Sequence, residues 1–155
     1  LGPFDLGSDG GDPSILWREA TGTRMPDAPG DGQHQYLTMR GREVYRNAVV
    51  RMAESSQAVV DAAGLTLDDV DLLIGHQANK RILDAVIDRL GFPADRCHVT
   101  VDRHANTSAA SIPLALADAR DTGRLHAGDR VLLTAFGAGL TWGSTLLTWT
   151  TEESA

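Results

Sequence analysis

The spacing of apolar residues predicts three helices joined to short strands. Apolar positions from Val44 to Ala63 recur every three to four residues and are followed by Gly64, as expected for one face of a long helix and its C-terminal cap. A second amphipathic helix is predicted over residues 82–90, and a third helix, rich in small side chains, over residues 108–121.

Short apolar runs between and after these helices are the strand candidates. They cover residues 71–75, 97–101, 130–136 and 140–150. Strands separated by helices favour parallel pairing, whereas the last two runs are joined by a short glycine-rich turn and favour an antiparallel pair. The pattern therefore predicts an α/β fold with a mixed, mainly parallel sheet covered by helices.

The 155 residues fit one domain, because domains usually contain about 100–200 residues. Residues 1–37 are rich in Gly, Asp and Pro, and we expect an irregular arm there, with a short strand near residues 14–18. Residues 38–155 form the predicted core. The chain starts without Met or a signal-peptide pattern, which fits either a trimmed chain or half of a larger enzyme.

Charge and cysteine content argue against several classes of protein. The chain has 14 basic and 21 acidic side chains, a net charge of -7, which argues against nucleic-acid or anionic-membrane partners. No apolar run approaches the ~20 residues of a membrane span. The single cysteine, Cys97, excludes an internal disulfide and favours a reducing compartment. With His98 and His104 it lacks the spacing of a zinc site, so we expect no metal.

Polar or glycine-rich clusters follow three of the predicted strands. They are Gly75-His76-Gln77-Ala78-Asn79, Arg103-His104-Ala105-Asn106-Thr107-Ser108 and Gly137-Ala138-Gly139. Ligands of such sheets gather beyond the carboxyl ends of the strands. The three clusters are therefore expected to form one site.

His76 and Asn106 each have two interpretations. His76 is either a surface or helix-capping side chain, or a neutral imidazole that donates to a substrate carbonyl, since a helix N-terminus disfavours imidazolium. Asn106 is either the N-cap of the third helix or an amide donor to a developing oxyanion. An amide cannot act as a general base, so the pair favours carbonyl polarisation over proton abstraction.

Other residues in these clusters also have alternative interpretations. Residues 137–139 form either a hairpin turn or a row of backbone N–H groups close to an acyl oxygen. Thr107, Ser108 and Ser111 are candidate hydrolase nucleophiles, but no Gly-x-Ser-x-Gly elbow surrounds them, which favours packing and capping. Cys97 is interpreted as a small buried hydrophobe.

Three ordered motifs make the sequence recognisable. They are His76-Gln77-Ala78-Asn79-Lys80-Arg81-Ile82, Asp102-Arg103-His104-Ala105-Asn106-Thr107-Ser108-Ala109-Ala110-Ser111 and Phe136-Gly137-Ala138-Gly139-Leu140-Thr141-Trp142-Gly143. Together they closely resemble the β-ketoacyl-acyl-carrier-protein synthase III family, from about Leu37 to Trp149. The resemblance covers the C-terminal half of that family's chain. It implies a thiolase-like fold, in which this half pairs with a similar N-terminal half in a five-layered αβαβα body.

The resemblance also implies a reaction. The family uses a Cys-His-Asn triad, in which His76 and Asn106 match the His and the Asn, while the Cys belongs to the N-terminal half and is not Cys97. The implied reaction is decarboxylative Claisen condensation of an acyl-CoA starter with malonyl-acyl carrier protein, which initiates fatty acid synthesis. A starter-unit ketosynthase of polyketide synthesis, or an acyltransferase of the same fold, is the alternative.

Further roles are implied residue by residue. Backbone N–H groups of Gly137, Ala138 and Gly139 would cover the acyl oxygen. Coenzyme A and pantetheine would be bound by Asn79 and Gly41, with Met39 and Tyr45 nearby. Arg81 matches a basic position of the family that contacts the carrier protein. Arg89, eight residues on and on roughly the same helix face, is expected to join that contact, although such residues are usually a solvated helix face. Ala105 and Ala138 stand where the family often has Gly, which affects acyl-chain preference more than the type of reaction.

The implied enzyme is a cytoplasmic homodimer that uses acyl-CoA and malonyl-acyl carrier protein as substrates and keeps no permanently bound cofactor. Its other partner is the N-terminal half of the same enzyme. Two further classes compete with this interpretation. One is a non-catalytic half that serves only in pairing, because the nucleophile is absent from this chain. The other is a small hydrolase that uses Ser108 or Ser111.

Overall fold

A computed structural model describes residues 1–18 and 36–150 of the chain. Six strands and four α-helices are found in these residues. The strands are β1 (Phe4–Ser8), β2 (Leu16–Arg18), β3 (Leu37–Met39), β4 (Leu72–Gly75), β5 (Arg130–Gly137) and β6 (Thr141–Thr148). The helices are α1 (Gly41–Ala62), α2 (Lys80–Leu90), α3 (Val101–His104) and α4 (Ser111–Asp121).

The four-stranded sheet has the order β1-β6-β5-β4. Strands β4 and β5 are parallel, whereas β5 and β6, and β6 and β1, are antiparallel. The sheet is mixed and covered by helices, as predicted, although antiparallel pairs outnumber the parallel one among the described strands. Strands β2 and β3 form a separate antiparallel pair.

Helices cover both faces of the sheet. Strand β4 is buried throughout, and its side chains alternate between the faces, as the period of a strand requires. Leu73 packs with Met52 of α1 and Leu83 of α2, whereas Leu72 and Ile74 pack on the side of α4. The apolar faces predicted for α1 and α2 are therefore the faces that these helices bury against the sheet.

The helix ends follow the predicted signals. Helix α1 is followed by Gly64 and α2 by Gly91, both in the left-handed conformation that glycine favours. Thr66 and Asp69 form the predicted capping box of a single 3-10 turn. The third predicted helix is a 3-10 turn at Ser108–Ala110 that continues into α4.

The start of the chain differs from the predicted irregular arm. Residues 4–8 form β1, which pairs with β6 at the edge of the main sheet, and only residues 16–18 of the expected strand at 14–18 are extended. The domain core therefore includes residues before 38. The arm prediction for residues 19–35 lies outside the described residues.

The strand predicted over residues 97–101 is wrong. Cys97 makes one isolated parallel bridge with Leu73, and Val101 already begins α3. The final strand is also shorter than predicted, because Leu140 belongs to the turn and β6 ends at Thr148.

Candidate active site

The parallel pair β4 and β5 brings two of the predicted clusters to one edge of the sheet. Gly75 lies opposite Thr134, and the backbone N–H of His76 donates to the Thr134 carbonyl at 2.8 Å. His76 therefore leaves the sheet beside the last residues of β5. This is the edge at which ligands of parallel strands bind.

A cavity of about 850 Å³ opens at this edge. Its volume is typical of small-molecule sites, which span about 300–1,000 Å³. It is lined by most of the predicted site residues, namely His76, Asn106, Gly137, Ala138, Asn79, Gly41, Met39, Tyr45 and Arg81. The structure thus brings together residues from β3, α1, α2 and three separate loops.

Two predicted site residues lie outside the lining of this cavity. Gly139 sits in the turn between β5 and β6 with φ of 78°, a conformation that supports its interpretation as a hairpin residue. Arg89 is at the far end of α2, where its guanidinium lies 3.9 Å from a carboxylate oxygen of Glu54. A contact of Arg89 with a carrier protein stays a prediction.

Ser111 contacts the Nδ1 side of the His76 ring. The Ser111 hydroxyl lies 2.7 Å from His76 Nδ1 and also accepts the backbone N–H of Gln77 at 3.2 Å. When the hydroxyl donates its proton to Nδ1, the neutral ring carries its hydrogen on Nε2, which makes Nε2 a donor.

Burial keeps the His76 ring neutral. The half-buried imidazole is partly removed from water, and this desolvation lowers the pKa of His76 below its ordinary value of 6.5. A neutral Nε2–H donor suits a carbonyl oxygen that gains negative charge during a reaction.

Asn106 presents its amide nitrogen as a donor. Its Oδ1 accepts the backbone N–H of Ser108 at 2.9 Å, and only the oxygen of the amide accepts a hydrogen bond. The bond fixes the orientation of the amide and leaves the NH₂ group for a ligand. The N-cap of the 3-10 turn that precedes α4 is Thr107, so the prediction that Asn106 is the N-cap is wrong, and its side chain instead bonds to the backbone two residues on.

Backbone strain precedes Asn106. Ala105 has φ of 53° and ψ of -164°, a combination that is almost restricted to glycine. Ser108 also has a positive φ, of 55°. Strained residues on both sides of Asn106 are typical of functional loops, where surrounding contacts hold a conformation that costs ~1–3 kcal/mol.

Two exposed arginines lie on the wall of the cavity. Arg42 and Arg81 line it, and within the described residues neither guanidinium forms an ion pair. Asn79 caps α2 by accepting the backbone N–H of Arg81 at 2.9 Å. Free guanidinium groups are suited to phosphate, which they bind through paired hydrogen bonds.

The serine that contacts His76 is buried, which argues against the hydrolase alternative. Ser111 bonds to His76, but it is only 2% exposed and does not line the cavity. Ser108 lines the cavity, yet the hydroxyl that contacts His76 is that of Ser111. No serine among the described residues combines access to the cavity with activation by His76.

Cys97 is unsuited to be the nucleophile. Burial raises the pKa of the Cys97 thiol to about 11, and the side chain is 6% exposed. The reactive form of cysteine is the thiolate, which is scarce at neutral pH when the pKa is this high.

Several residues at this site have no functional role in the prediction from sequence. Ser111 is predicted only to pack and cap, Gln77 has no predicted role, and Arg42 and Phe136 line the cavity without having been predicted to. Ser111 is the first residue of α4, and nothing in the sequence around it indicates a contact with His76. Gln77, a polar residue beside a buried strand, could have been suspected of bonding backbone groups.

The described residues contain neither a metal-binding cluster nor a helix that could span a membrane. No group of three His, Cys, Asp or Glu side chains is arranged to hold a metal ion there. None of the described helices combines the length and the apolar character needed to cross a bilayer.

Comparison with known proteins agrees with the motifs. Residues 60–149 match the family described as 3-oxoacyl-[acyl-carrier-protein (ACP)] synthase III C terminal. The beta-ketoacyl-[acyl-carrier-protein] synthase III of Roseiflexus castenholzii is 49% identical over 146 residues, which are 93% of this chain and 44% of that protein. The chain therefore spans less than half the length of this relative.

Solved structures show the same fold. The synthase III of Pseudomonas aeruginosa is 42% identical with a TM-score of 0.85, over 96% of this chain and 44% of that one. The priming β-ketosynthase of the R1128 polyketide pathway is 33% identical with a TM-score of 0.84, over 96% of this chain and 45% of that one. The fold is thiolase-like, and the chain belongs to the 3-oxoacyl-[acyl-carrier-protein] synthase III family, whose C-terminal region it matches.

Proposed function

We propose that this chain supplies the His and Asn donors of a condensing enzyme. The reaction joins an acyl-CoA starter to malonyl-acyl carrier protein, gives a 3-oxoacyl-acyl carrier protein and initiates fatty acid synthesis. The observation that carries the proposal is that the half-buried His76 imidazole and the Asn106 amide line one cavity, where both can serve as neutral donors. The names of the relatives support the same reaction.

The chemistry of the step requires two such donors. When the malonyl thioester loses carbon dioxide, the electron pair of the broken C–C bond moves into an enolate, and the thioester oxygen becomes anionic. Donors already aimed at that oxygen stabilise it, and the loss of one donor typically costs about 10²–10³ in rate. The enolate carbon then attacks the acyl thioester, a new C–C bond forms, and the cysteine leaves as thiolate.

The nucleophile is proposed to lie outside this chain. Cys97 is buried with a raised pKa, so the acyl-bearing cysteine belongs to the segment that relatives have in addition. The enzyme with that segment is called the full-length enzyme below. The backbone N–H groups of Gly137 and Ala138, on the cavity wall, would face the acyl oxygen, with Gly139 completing the turn.

The substrates enter past the two arginines on the wall of the cavity. Arg42 and Arg81 would bind the phosphates of coenzyme A or of the carrier's phosphopantetheine, and Arg89 would extend the contact with the carrier protein. The apolar wall at Met39 and Tyr45, with Gly41 and Asn79, would hold the pantetheine arm. A cytoplasmic location and a homodimeric state are further parts of the proposal that rest on the resemblance.

A polyketide starter ketosynthase is the second candidate. The similarity to the R1128 priming β-ketosynthase favours it. Such an enzyme uses the same two donors, so the residues described here fit both functions. Competition between acetyl-CoA and longer or branched acyl-CoA starters, assayed with the full-length enzyme, distinguishes the two.

The test compares two partial reactions of the full-length enzyme. His76→Ala and Asn106→Ala are expected to reduce malonyl decarboxylation by about 10²–10³-fold, because each removes one donor to the enolate oxygen. Transfer of the acyl group from acyl-CoA to the enzyme is expected to change less. Arg120→Ala, in an exposed ion pair with Asp121, is the control. Unchanged decarboxylation in both donor variants would overturn the assignment.

A further inference from the structure

Gln77 connects the two loops that carry His76 and Asn106. It follows His76 directly, and its side chain is completely buried. It does not line the cavity, so a direct contact with substrate is not its role.

Both polar atoms of the Gln77 side chain form hydrogen bonds. Nε2 donates to the carbonyl of Gly75 at 2.8 Å and to the carbonyl of His98 at 3.2 Å. Oε1 accepts the backbone N–H of Thr100 at 2.8 Å and that of Val101 at 3.2 Å. A primary amide has two donor hydrogens and two acceptor lone pairs, so these four bonds satisfy it completely.

These partners belong to two different segments. Gly75 ends β4 and precedes His76, whereas Val101 begins α3, which ends at His104, two residues before Asn106. The backbone N–H of His98 also donates to Leu73 at 2.9 Å, which holds the second segment against β4. Gln77 is therefore the side chain that fixes the start of α3 relative to the residue before His76.

We propose that Gln77 is a positioning residue that sets the separation between His76 and Asn106 by binding the backbone of both segments. The inference rests on the proposed function, because it assigns Gln77 to the step in which both donors hold one oxygen. A displacement of about 1 Å in a reacting geometry costs about 10²-fold in rate. Loss of the Gln77 bonds would allow α3 and the strained Ala105–Asn106 loop to shift by such an amount.

Two variants separate the two ends of the amide. Gln77→Met keeps the length of the side chain but removes all four bonds. Gln77→Glu keeps an acceptor for Thr100 and Val101, whereas its second carboxylate oxygen faces the carbonyls of Gly75 and His98. The control is Gln57→Met, which removes an amide that bonds to Asp61 on α1, outside the cavity.

The test uses the full-length enzyme and three measurements. These are malonyl decarboxylation, acyl transfer from acyl-CoA to the enzyme, and crystal structures of the wild type and the variants. Gln77→Met is expected to lower decarboxylation about 10²-fold, with much less effect on acyl transfer, and to move the Asn106 amide relative to His76 Nε2. Gln77→Glu is expected to lower decarboxylation as well, because its second oxygen repels the carbonyls of Gly75 and His98, and Gln57→Met is expected to have no effect.

The outcomes separate this inference from the proposed function. A wild-type enzyme without decarboxylation or acyl transfer contradicts the proposed function, while the crystal structures still test the role of Gln77. An unchanged His76–Asn106 separation in Gln77→Met, or an equal loss of both partial reactions, overturns the inference. If Gln77→Met does not fold, the same two criteria are applied to Gln77→Glu.

Discussion

The Ser111 hydroxyl lies 2.7 Å from His76 Nδ1, and when it donates to that nitrogen, the opposite nitrogen of the ring carries the hydrogen. Ser111 begins α4, whereas His76 follows β4, so the contact joins the helix on one face of the sheet to the loop at its edge. The packing of α4 is thereby coupled to the protonation state of the site.

Removal of the Ser111 hydroxyl is expected to impair the donor role of His76. In Ser111→Ala the ring loses the bond that selects its Nε2–H form, and decarboxylation by the full-length enzyme is expected to fall about tenfold, as for the loss of one buried hydrogen bond. The nitrogen chemical shifts of isotopically labelled histidine measure the tautomer directly. Ser144→Ala, which removes another buried hydroxyl whose bond is to Thr134, is the control. An unaltered tautomer in Ser111→Ala would contradict this prediction.

Stability is expected to depend on His76 at acidic pH. Because burial lowers the pKa of folded His76 below 6.5, the unfolded chain binds a proton at a pH where the folded chain does not. The free energy of unfolding therefore falls as the pH drops below 6.5 towards the lowered value. Urea unfolding of the wild type and of His76→Gln, at about pH 7.5 and about pH 5.5, measures this contribution. The wild type should lose more stability than the variant, and equal losses would count against the prediction.

Ala105→Gly is expected to stabilise the protein. Glycine relieves the strain at φ of 53° and ψ of -164°, worth ~1–3 kcal/mol, and this exceeds the cost of about 0.5–1 kcal/mol for the greater freedom of glycine in the unfolded chain. A net gain near 1 kcal/mol in the free energy of unfolding is expected from denaturant titration. Ala110→Gly provides the comparison, because Ala110 has an ordinary φ of -73° and its replacement should destabilise. A loss of stability in both variants would show that Ala105 is unstrained.

Gly7→Ala is expected to disturb the packing of β1 on the sheet. A Cβ atom at Gly7 would clash with the ring of Trp142, so the indole must move. The expected loss is ~1–3 kcal/mol, as for other overpacked sites, with a change in tryptophan fluorescence. Gly10→Ala is the matched control, since nothing lies within 4 Å of the Cβ atom it would add. Equal stability of the two variants would disprove the close approach.

The sequence predicts those elements whose signals are local. The end of β4, the apolar face of α2 and the glycine that ends α2 all lie within residues 75–91, and the structure agrees with these predictions. The expectation that strand ends meet at one site holds for His76, after β4, and for Gly137, at the end of β5. Asn106 reaches the same cavity after α3 and not after a strand.

The missed elements depend on distant partners. Thr100 and Val101 have the composition of a strand, but their N–H groups bond to the Gln77 side chain and so are not available for a ladder. Strand β1 has a glycine and an aspartate among five residues, and its partner β6 lies more than 130 positions later. The Ser111–His76 contact spans 35 residues. Each of these contacts joins residues that are far apart in the chain, so the pattern of neighbouring residues does not predict it.

The pairing of β1 with β6 has a consequence for biosynthesis. Phe4 leaves the ribosome among the first residues of this segment, but its partner Thr145 follows only after nearly all the others. The edge of the nascent sheet must wait for the C-terminal hairpin, so the rate of acquiring the native topology is governed by contacts of high sequence separation. A chain interrupted before β6 would keep β1 unpaired and exposed to association with other nascent chains.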